Sequence, residues 1–172
     1  MRLVAVIGTK KSGKTTVVER MLAELRSRGL RVGTLKLIHH EGFTIHSEGR
    51  DTARHWEAGA DFSVALAPGE TTLVRRTGGQ HEGLADIEGI LPTGTDVLLA
   101  EGLVTGGPDV RTVVCSRTPD ETRVLIASLP PDSNPVAASG LVGASEEAVE
   151  GLLALDVTDG QDLRRLADLA LG

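Results

Sequence analysis

Eight residues near the amino terminus have the types and spacing of a phosphate-binding loop. They read Gly8-Thr9-Lys10-Lys11-Ser12-Gly13-Lys14-Thr15, which fits the pattern G-x-x-x-x-G-K-[ST]. Its glycines allow a tight turn with N–H groups pointing at an anion. Lys14 brings a charge to the β- and γ-phosphates, and the Thr15 hydroxyl can ligate Mg²⁺. The predicted nucleotide-binding residues are Gly8, Thr9, Lys10, Lys11, Ser12, Gly13, Lys14, Thr15 and Thr16.

The segments around this loop alternate between strands and helices. An apolar strand over 2–7 precedes it, and a helix follows with Val17, Met21 and Leu25 on one face. Further predicted elements are strands over 31–37, 96–100, 110–115 and 123–127, an antiparallel pair over 61–66 and 71–75, a short helix over 51–57, a loop with a short strand over 130–143, and a last helix from about 160. The order predicts one α/β domain over 1–172, a three-layer sandwich of a mainly parallel sheet with P-loop NTPase topology.

Two acids mark the ends of the strand over 96–100. Ligands of such sheets bind at the carboxyl ends of the strands. Glu101 follows the strand, so it is predicted to hold the water shell of Mg²⁺ and to be catalytic together with Lys14. Asp96 begins the same strand, about 17 Å away at the rise of an extended chain, and cannot share that ion.

Lysine is rare and concentrated near the loop. Of 18 Lys and Arg only four are Lys, three within the loop and the fourth Lys36. Because a lysine supplies a compact ammonium where arginine supplies a planar fork, Lys36 is predicted to be a site residue. His39 and His40 follow at the same edge. Their spacing does not match a typical zinc site, so they are predicted to contact phosphate or a partner protein, and metal binding stays the alternative.

Composition narrows the class of protein further. Nine of the 18 Lys and Arg, but only two of the 24 acids, lie in residues 1–40. With no Tyr, two Phe and one Trp, a nucleic-acid partner is not expected. Cys115 is the only cysteine, which excludes an internal disulfide and fits a reducing cytoplasm. No apolar run approaches the length of a membrane span, so no membrane partner is expected.

Four segments resemble one known family in the same order along the chain. They are 8–16, 36–40, 49–60 and 96–102, and the third is the most specific match because it is similar to a G-K-D-S…A-G-A stretch. The chain resembles the MobB family of molybdopterin-guanine dinucleotide biosynthesis adaptor proteins over roughly its first 120 residues. The match to the G-K-D-S stretch adds Asp51 to the predicted nucleotide-binding residues.

The resemblance implies an activity and partners. A member of this family is expected to be a cytoplasmic homodimer that binds GTP and Mg²⁺ and has at most slow GTPase activity. It would assist the guanylyltransferase that joins GMP to the molybdenum-bound pterin, with molybdopterin as a further ligand. The chain departs from the family at Leu37, His46 and Leu103-Val104, which affects how the partner or the pterin is held.

Two other functions share the loop. A GTPase metallochaperone for nickel enzymes would bring a Cys-x-His or long His tract, and this chain has neither. A small-molecule kinase would need an Arg-rich lid and an activating acid, for which Gly49-Arg50-Asp51 is the only candidate. Guanine specificity is not readable, since no Asn/Thr-Lys-x-Asp motif occurs. Asp132, after the strand predicted over 123–127, is the one weak candidate for reading the base.

Overall fold

The computed structural model describes residues 1–38, 43, 51–77, 84, 87, 89–145 and 148–172. These residues divide into two compact units, Met1–Ile38 with Pro92–Gly172 and, separately, His39–Leu91. The prediction of one domain over 1–172 stays a prediction. Among the described residues, no helix combines the length and the apolar character that crossing a membrane requires.

The first unit contains a five-stranded sheet in which every neighbouring pair is parallel. Its strand order is β2-β5-β1-β6-β7. The strands are β1 (Arg2–Gly8), β2 (Val32–Lys36), β5 (Val97–Glu101), β6 (Val110–Ser116) and β7 (Pro135–Gly140). Its helices are α1 (Lys14–Ser27), α3 (Pro119–Ala127), a short 3₁₀ helix (Leu141–Ser145) and α4 (Gly160–Leu171).

Helices cover both faces of this sheet. Alternate residues of β1 point to opposite faces: Val4 and Val6 pack with the apolar sides of α1 and α4, and Ala5 and Ile7 pack with α3. Because both faces are covered, β1 reads as a continuous apolar run. The predicted three-layer α/β fold with a mainly parallel sheet is confirmed.

One predicted strand was wrong. Residues 123–127 belong to α3, which starts earlier because Thr118 caps it and Pro119 occupies its first turn. The apolar run of this segment fits a strand as well as a helix, but the capping signal before it decides for a helix. The fifth strand of the sheet is β7, which pairs with β6 on the side away from β1 and lies within the segment predicted as a loop with a short strand.

The second unit contains α2 (Asp51–Glu57) and an antiparallel pair, β3 (Phe62–Ala67) and β4 (Glu70–Arg75). The short helix and the pair were predicted. Arg76 joins the pair to the helix, because its guanidinium lies 4.1 Å from the centre of the Trp56 ring and donates to the Trp56 carbonyl at 2.7 Å.

Candidate functional site

The predicted phosphate loop connects β1 to α1 at the carboxyl edge of the parallel sheet. It begins at Gly8 and ends at Gly13, and both have positive φ, 152° and 92°. A Cβ at Gly8 would lie 2.1 Å from the carbonyl oxygen of Cys115 in β6, which no side chain could tolerate. Lys11 adopts a φ of 63°, so the loop holds a non-glycine residue in the left-handed region. The tight turn therefore requires glycine at position 8 for two reasons, the positive φ and the close approach of the β6 backbone.

A cavity of about 420 Å³ lies over this loop. Its lining residues are Lys10, Lys11, Ser12, Gly13, Lys14, Thr15, Thr16 and Glu101. Ser12 is fully buried, and its hydroxyl has no hydrogen-bond partner in the described part of the chain. The cavity is thus lined by lysines, hydroxyls and loop backbone, which are groups that suit a phosphate chain.

The start of α1 adds to the positive character of this cavity. Gly13 precedes the helix, and over the described residues no side chain caps its amino terminus. The first turn of the helix also contains no acid. Lys14 donates from its ammonium to the Thr9 carbonyl, so its charge lies across the loop. Uncapped N–H groups and this ammonium together form an anion-binding arrangement.

Glu101 borders the loop on the side of β5. Its Oε1 accepts from the Thr15 hydroxyl at 2.9 Å and from the Lys36 ammonium at 3.1 Å. The register brings these groups together, because Lys36 of β2 pairs with Glu101 of β5. The side chain of Glu101 is 12% exposed, whereas that of Lys36 is 58% exposed. We call Thr15, Glu101 and Lys36 the Glu101 flank.

The oxygen atoms of the Glu101 flank fit a magnesium ion. Mg²⁺ in nucleotide sites is bound through one or two protein oxygens, phosphates and water. Thr15 Oγ1 and Glu101 Oε1 are such oxygens, 2.9 Å apart and both on the lining of the cavity. Among the described residues, no group of three or more His, Cys, Asp or Glu could hold a metal ion by itself.

Asp96 lies at the opposite end of β5 from Glu101, as predicted. Its carboxylate accepts from the backbone N–H of Arg31 at 2.8 Å. Asp132 is also far from the loop. It precedes β7, and its carbonyl accepts from the N–H of Gly107 before β6. Because both positions lie at the amino edge of the sheet, Asp132 cannot read a base held above the phosphate loop.

The remaining predicted site residues lie elsewhere in the chain. His39 and His40 are outside the described residues, and so are His46, where the chain departs from the family pattern, and Arg50. Asp51 is in the second unit, at the first residue of α2, where its carboxylate pairs with Arg54 at 3.6 Å. The binding roles of these residues stay predictions.

Glu121 borders the loop on the side of β6 and was not predicted. Its carboxylate accepts from the Thr9 hydroxyl, and from the N–H and the guanidinium of Arg117 at 2.7 to 3.2 Å. The Arg117 guanidinium and then the Thr9 hydroxyl lower the pKa of the Glu121 carboxyl to about 2. We call Thr9, Glu121 and Arg117 the Glu121 flank. The only signal in the sequence is the capping box from Thr118 to Glu121.

Cys115 lies in the strand beside the loop and is fully buried. Burial raises the pKa of its thiol to about 12, so the neutral form persists at physiological pH. This environment is that of an ordinary buried cysteine.

Comparison with known proteins identifies similar chains. Residues 3–125 match the model of the MobB family, described as molybdopterin guanine dinucleotide synthesis protein B. A probable molybdopterin-guanine dinucleotide biosynthesis adapter protein of Bacillus subtilis is 34% identical over 119 residues, 69% of this chain and 67% of that protein. The molybdopterin-guanine dinucleotide biosynthesis adapter protein of Haemophilus influenzae is 40% identical over 68 residues, 40% of this chain and 37% of that protein.

Solved structures resemble the whole chain. The crystal structure of Bacillus subtilis MobB has a TM-score of 0.73 at 27% identity and covers 98% of both chains. A MobB homolog from Bacillus stearothermophilus has a TM-score of 0.68 at 26% identity, over 99% of this chain and 98% of that one. The likeness therefore extends beyond the residues that the family model matches.

Proposed function

The chain belongs to the MobB family, and from that premise we propose that it is a GTP-binding adaptor in molybdopterin guanine dinucleotide biosynthesis. It would act with the guanylyltransferase that attaches GMP to the molybdenum-bound pterin. The adaptor role is supported by the names of the two relatives, both described as adapter proteins. Guanine as the base is proposed from the pathway, since the nucleotide to be transferred is GMP.

One observation carries the nucleotide part of this proposal. The loop cavity combines an uncapped helix start, the ammonium of Lys14 and the hydroxyl of Thr15 beside Glu101. Each of these groups suits a different part of Mg²⁺–GTP. The N–H groups suit the phosphate oxygens, and the ammonium suits the charge of the β- and γ-phosphates. Because these groups match several phosphates, they support a nucleoside triphosphate over a monophosphate as the ligand.

The residues of the site would bind and orient the nucleotide. Lys14 would leave the Thr9 carbonyl for the phosphates, so that one favourable contact is exchanged for another. Thr15 and Glu101 would hold Mg²⁺ through oxygen, and the Lys36 ammonium would hold the carboxylate in place until the ion binds. When bound, the magnesium ion would neutralise part of the negative charge of the phosphates. Turnover by the chain alone should stay near the ~10⁻⁴–10⁻² s⁻¹ of unassisted GTPases.

The proposal is tested by nucleotide titration of a loop variant and its control. Lys14→Ala should weaken GTP binding at least ~100-fold, because it removes about two charge-assisted hydrogen bonds. Arg20→Ala removes the same charge from an exposed position of α1 and should bind GTP like the parent. Lys14→Ala binding GTP within a fewfold of the parent would show that this loop is not the site.

A second measurement addresses the adaptor role. GTP turnover is recorded for the chain alone and with the cognate guanylyltransferase, and the dinucleotide cofactor is quantified with and without the chain. We expect slow GTP turnover by the chain alone and a higher yield of the dinucleotide cofactor when the chain is present. Turnover of tens per second by the isolated chain, or an unchanged cofactor yield without it, would contradict the adaptor role.

A further inference from the structure

Glu121 links the phosphate loop to the segment between β6 and α3. Its two oxygens accept from four donors: the Thr9 hydroxyl, the Arg117 N–H, and the Nε and Nη2 of Arg117. Thr118 accepts from the Glu121 N–H at 3.2 Å, which holds its backbone at the start of α3. The carboxylate is only 13% exposed. Its position is therefore determined by α3 and β6, both packed parts of the sheet unit.

Thr9 connects this carboxylate to the lysine of the loop. The Thr9 side chain donates to Glu121, while its carbonyl accepts from the Lys14 ammonium. A residue held at its side chain has little freedom in its backbone, so fixing the hydroxyl also restricts the path of the loop backbone that leads to Lys14. A preorganised loop binds its ligand more tightly because less conformational entropy is lost on binding.

We propose that Glu121 is a positioning residue for the phosphate loop, which holds the Thr9 hydroxyl and thereby orders the segment that carries Lys14. The inference rests on the proposed function, since its consequence is measured as nucleotide affinity. It assigns a role in the site to a residue that lies 112 positions from Thr9 in sequence. Arg117 supports that role by occupying the other acceptor positions of the carboxylate.

The experiment is a double-mutant cycle with GTP affinity as the readout. Thr9→Val removes the hydroxyl at nearly constant shape and should weaken GTP binding about tenfold, the typical effect of one hydrogen bond to a charged group. Thr9→Ser keeps the hydroxyl and should stay within about twofold of the parent. Glu121→Gln should also weaken binding, and because its amide oxygen is a weaker acceptor, adding Thr9→Val to it should cost less affinity than Thr9→Val costs in the parent.

A matched control separates this role from general stability. Glu24 forms a similar pair with Arg28 at 2.8 Å, at the end of α1 remote from the loop, and is 16% exposed. Glu24→Gln should change thermal stability and leave GTP affinity as in the parent. GTP affinity of Thr9→Val within twofold of the parent, or additive losses in the double variant, would overturn the inference while the proposed function stands. A parent that binds no GTP would overturn both.

Discussion

The two sides of the phosphate loop use the same kinds of group in different ways. On each side a carboxylate accepts from a loop threonine and from a cation, Thr15 and Lys36 for Glu101, and Thr9 and Arg117 for Glu121. The Glu101 flank has one contact from each partner. In the Glu121 flank, Arg117 alone donates three times.

We infer from this difference that the contact of Lys36 with Glu101 can be exchanged for another, whereas the contact of Arg117 with Glu121 persists. A lysine offers a point charge on a flexible chain, so Lys36 can release Glu101 when an ion arrives. An arginine fork binds both carboxylate oxygens in a fixed geometry, and such pairs are among the stronger hydrogen bonds. We infer that the Glu101 flank is suited to the ligand and the Glu121 flank to the loop.

The largest expected effect tests how closely the loop is bound to the β6 side. Gly8→Ala would place a Cβ 2.1 Å from the Cys115 carbonyl oxygen and should cost more than about 3 kcal/mol of stability. Gly102, next to Glu101, also has positive φ, but a Cβ there meets its nearest atom at 3.7 Å. Gly102→Ala should therefore cost only about 1 kcal/mol. Denaturant unfolding measures both, and equal losses would contradict the difference between the two sides.

The next effect concerns the stability that Glu121 contributes. Glu121→Gln should lower the free energy of unfolding at pH 7 by about 2 kcal/mol, because a charge-assisted pair is lost. The pKa of this carboxyl is about 2 in the folded chain against 4.5 ordinarily. Its contribution is therefore complete above pH 4.5 and disappears as the pH falls toward 2. Urea unfolding at several pH values should show the parent and variant converging in acid; a difference independent of pH would refute this.

A smaller effect is expected from the acids at the two ends of β5. Glu101→Gln should reduce the magnesium-dependent part of GTP affinity about tenfold, or ~1.4 kcal/mol. Asp96→Asn should leave that part unchanged and alter stability only, because its carboxylate holds the Arg31 N–H at the other edge. Titrations with and without Mg²⁺ separate the two outcomes. Equal losses of GTP affinity in both variants would contradict a magnesium-binding role for Glu101.

The smallest effect concerns the segment between the two flanks. Lys11→Gly should stabilise the chain by about 0.5 kcal/mol, since glycine relieves the left-handed φ of 63° but also adds freedom to the unfolded chain. Thermal unfolding without nucleotide measures it. Destabilisation would mean that the Lys11 side chain makes a larger contribution than its backbone conformation costs.

The sequence was sufficient for the parts of this protein whose signals are local. The phosphate loop, the strand before it and the helix after it occupy one continuous segment, and their residue types are imposed by the turn and the anion. The place of Glu101 at the edge of the sheet was also predictable, because the carboxyl end of a buried parallel strand is a position that sequence can locate. Its contact with Thr15 follows from β5 lying beside β1.

Tertiary structure decided what depends on contacts between distant segments. The wrong strand over 123–127 is a different case, because the signal that decides for the helix α3, Thr118 followed by Pro119, is local. That helix places Glu121 against Thr9, and no spacing rule links two residues so far apart. The sequence by itself determined which groups could bind a phosphate. Only the packing of α3 on the sheet decided which carboxylate holds the loop, because hydrogen bonds between remote segments exist only once the chain has folded.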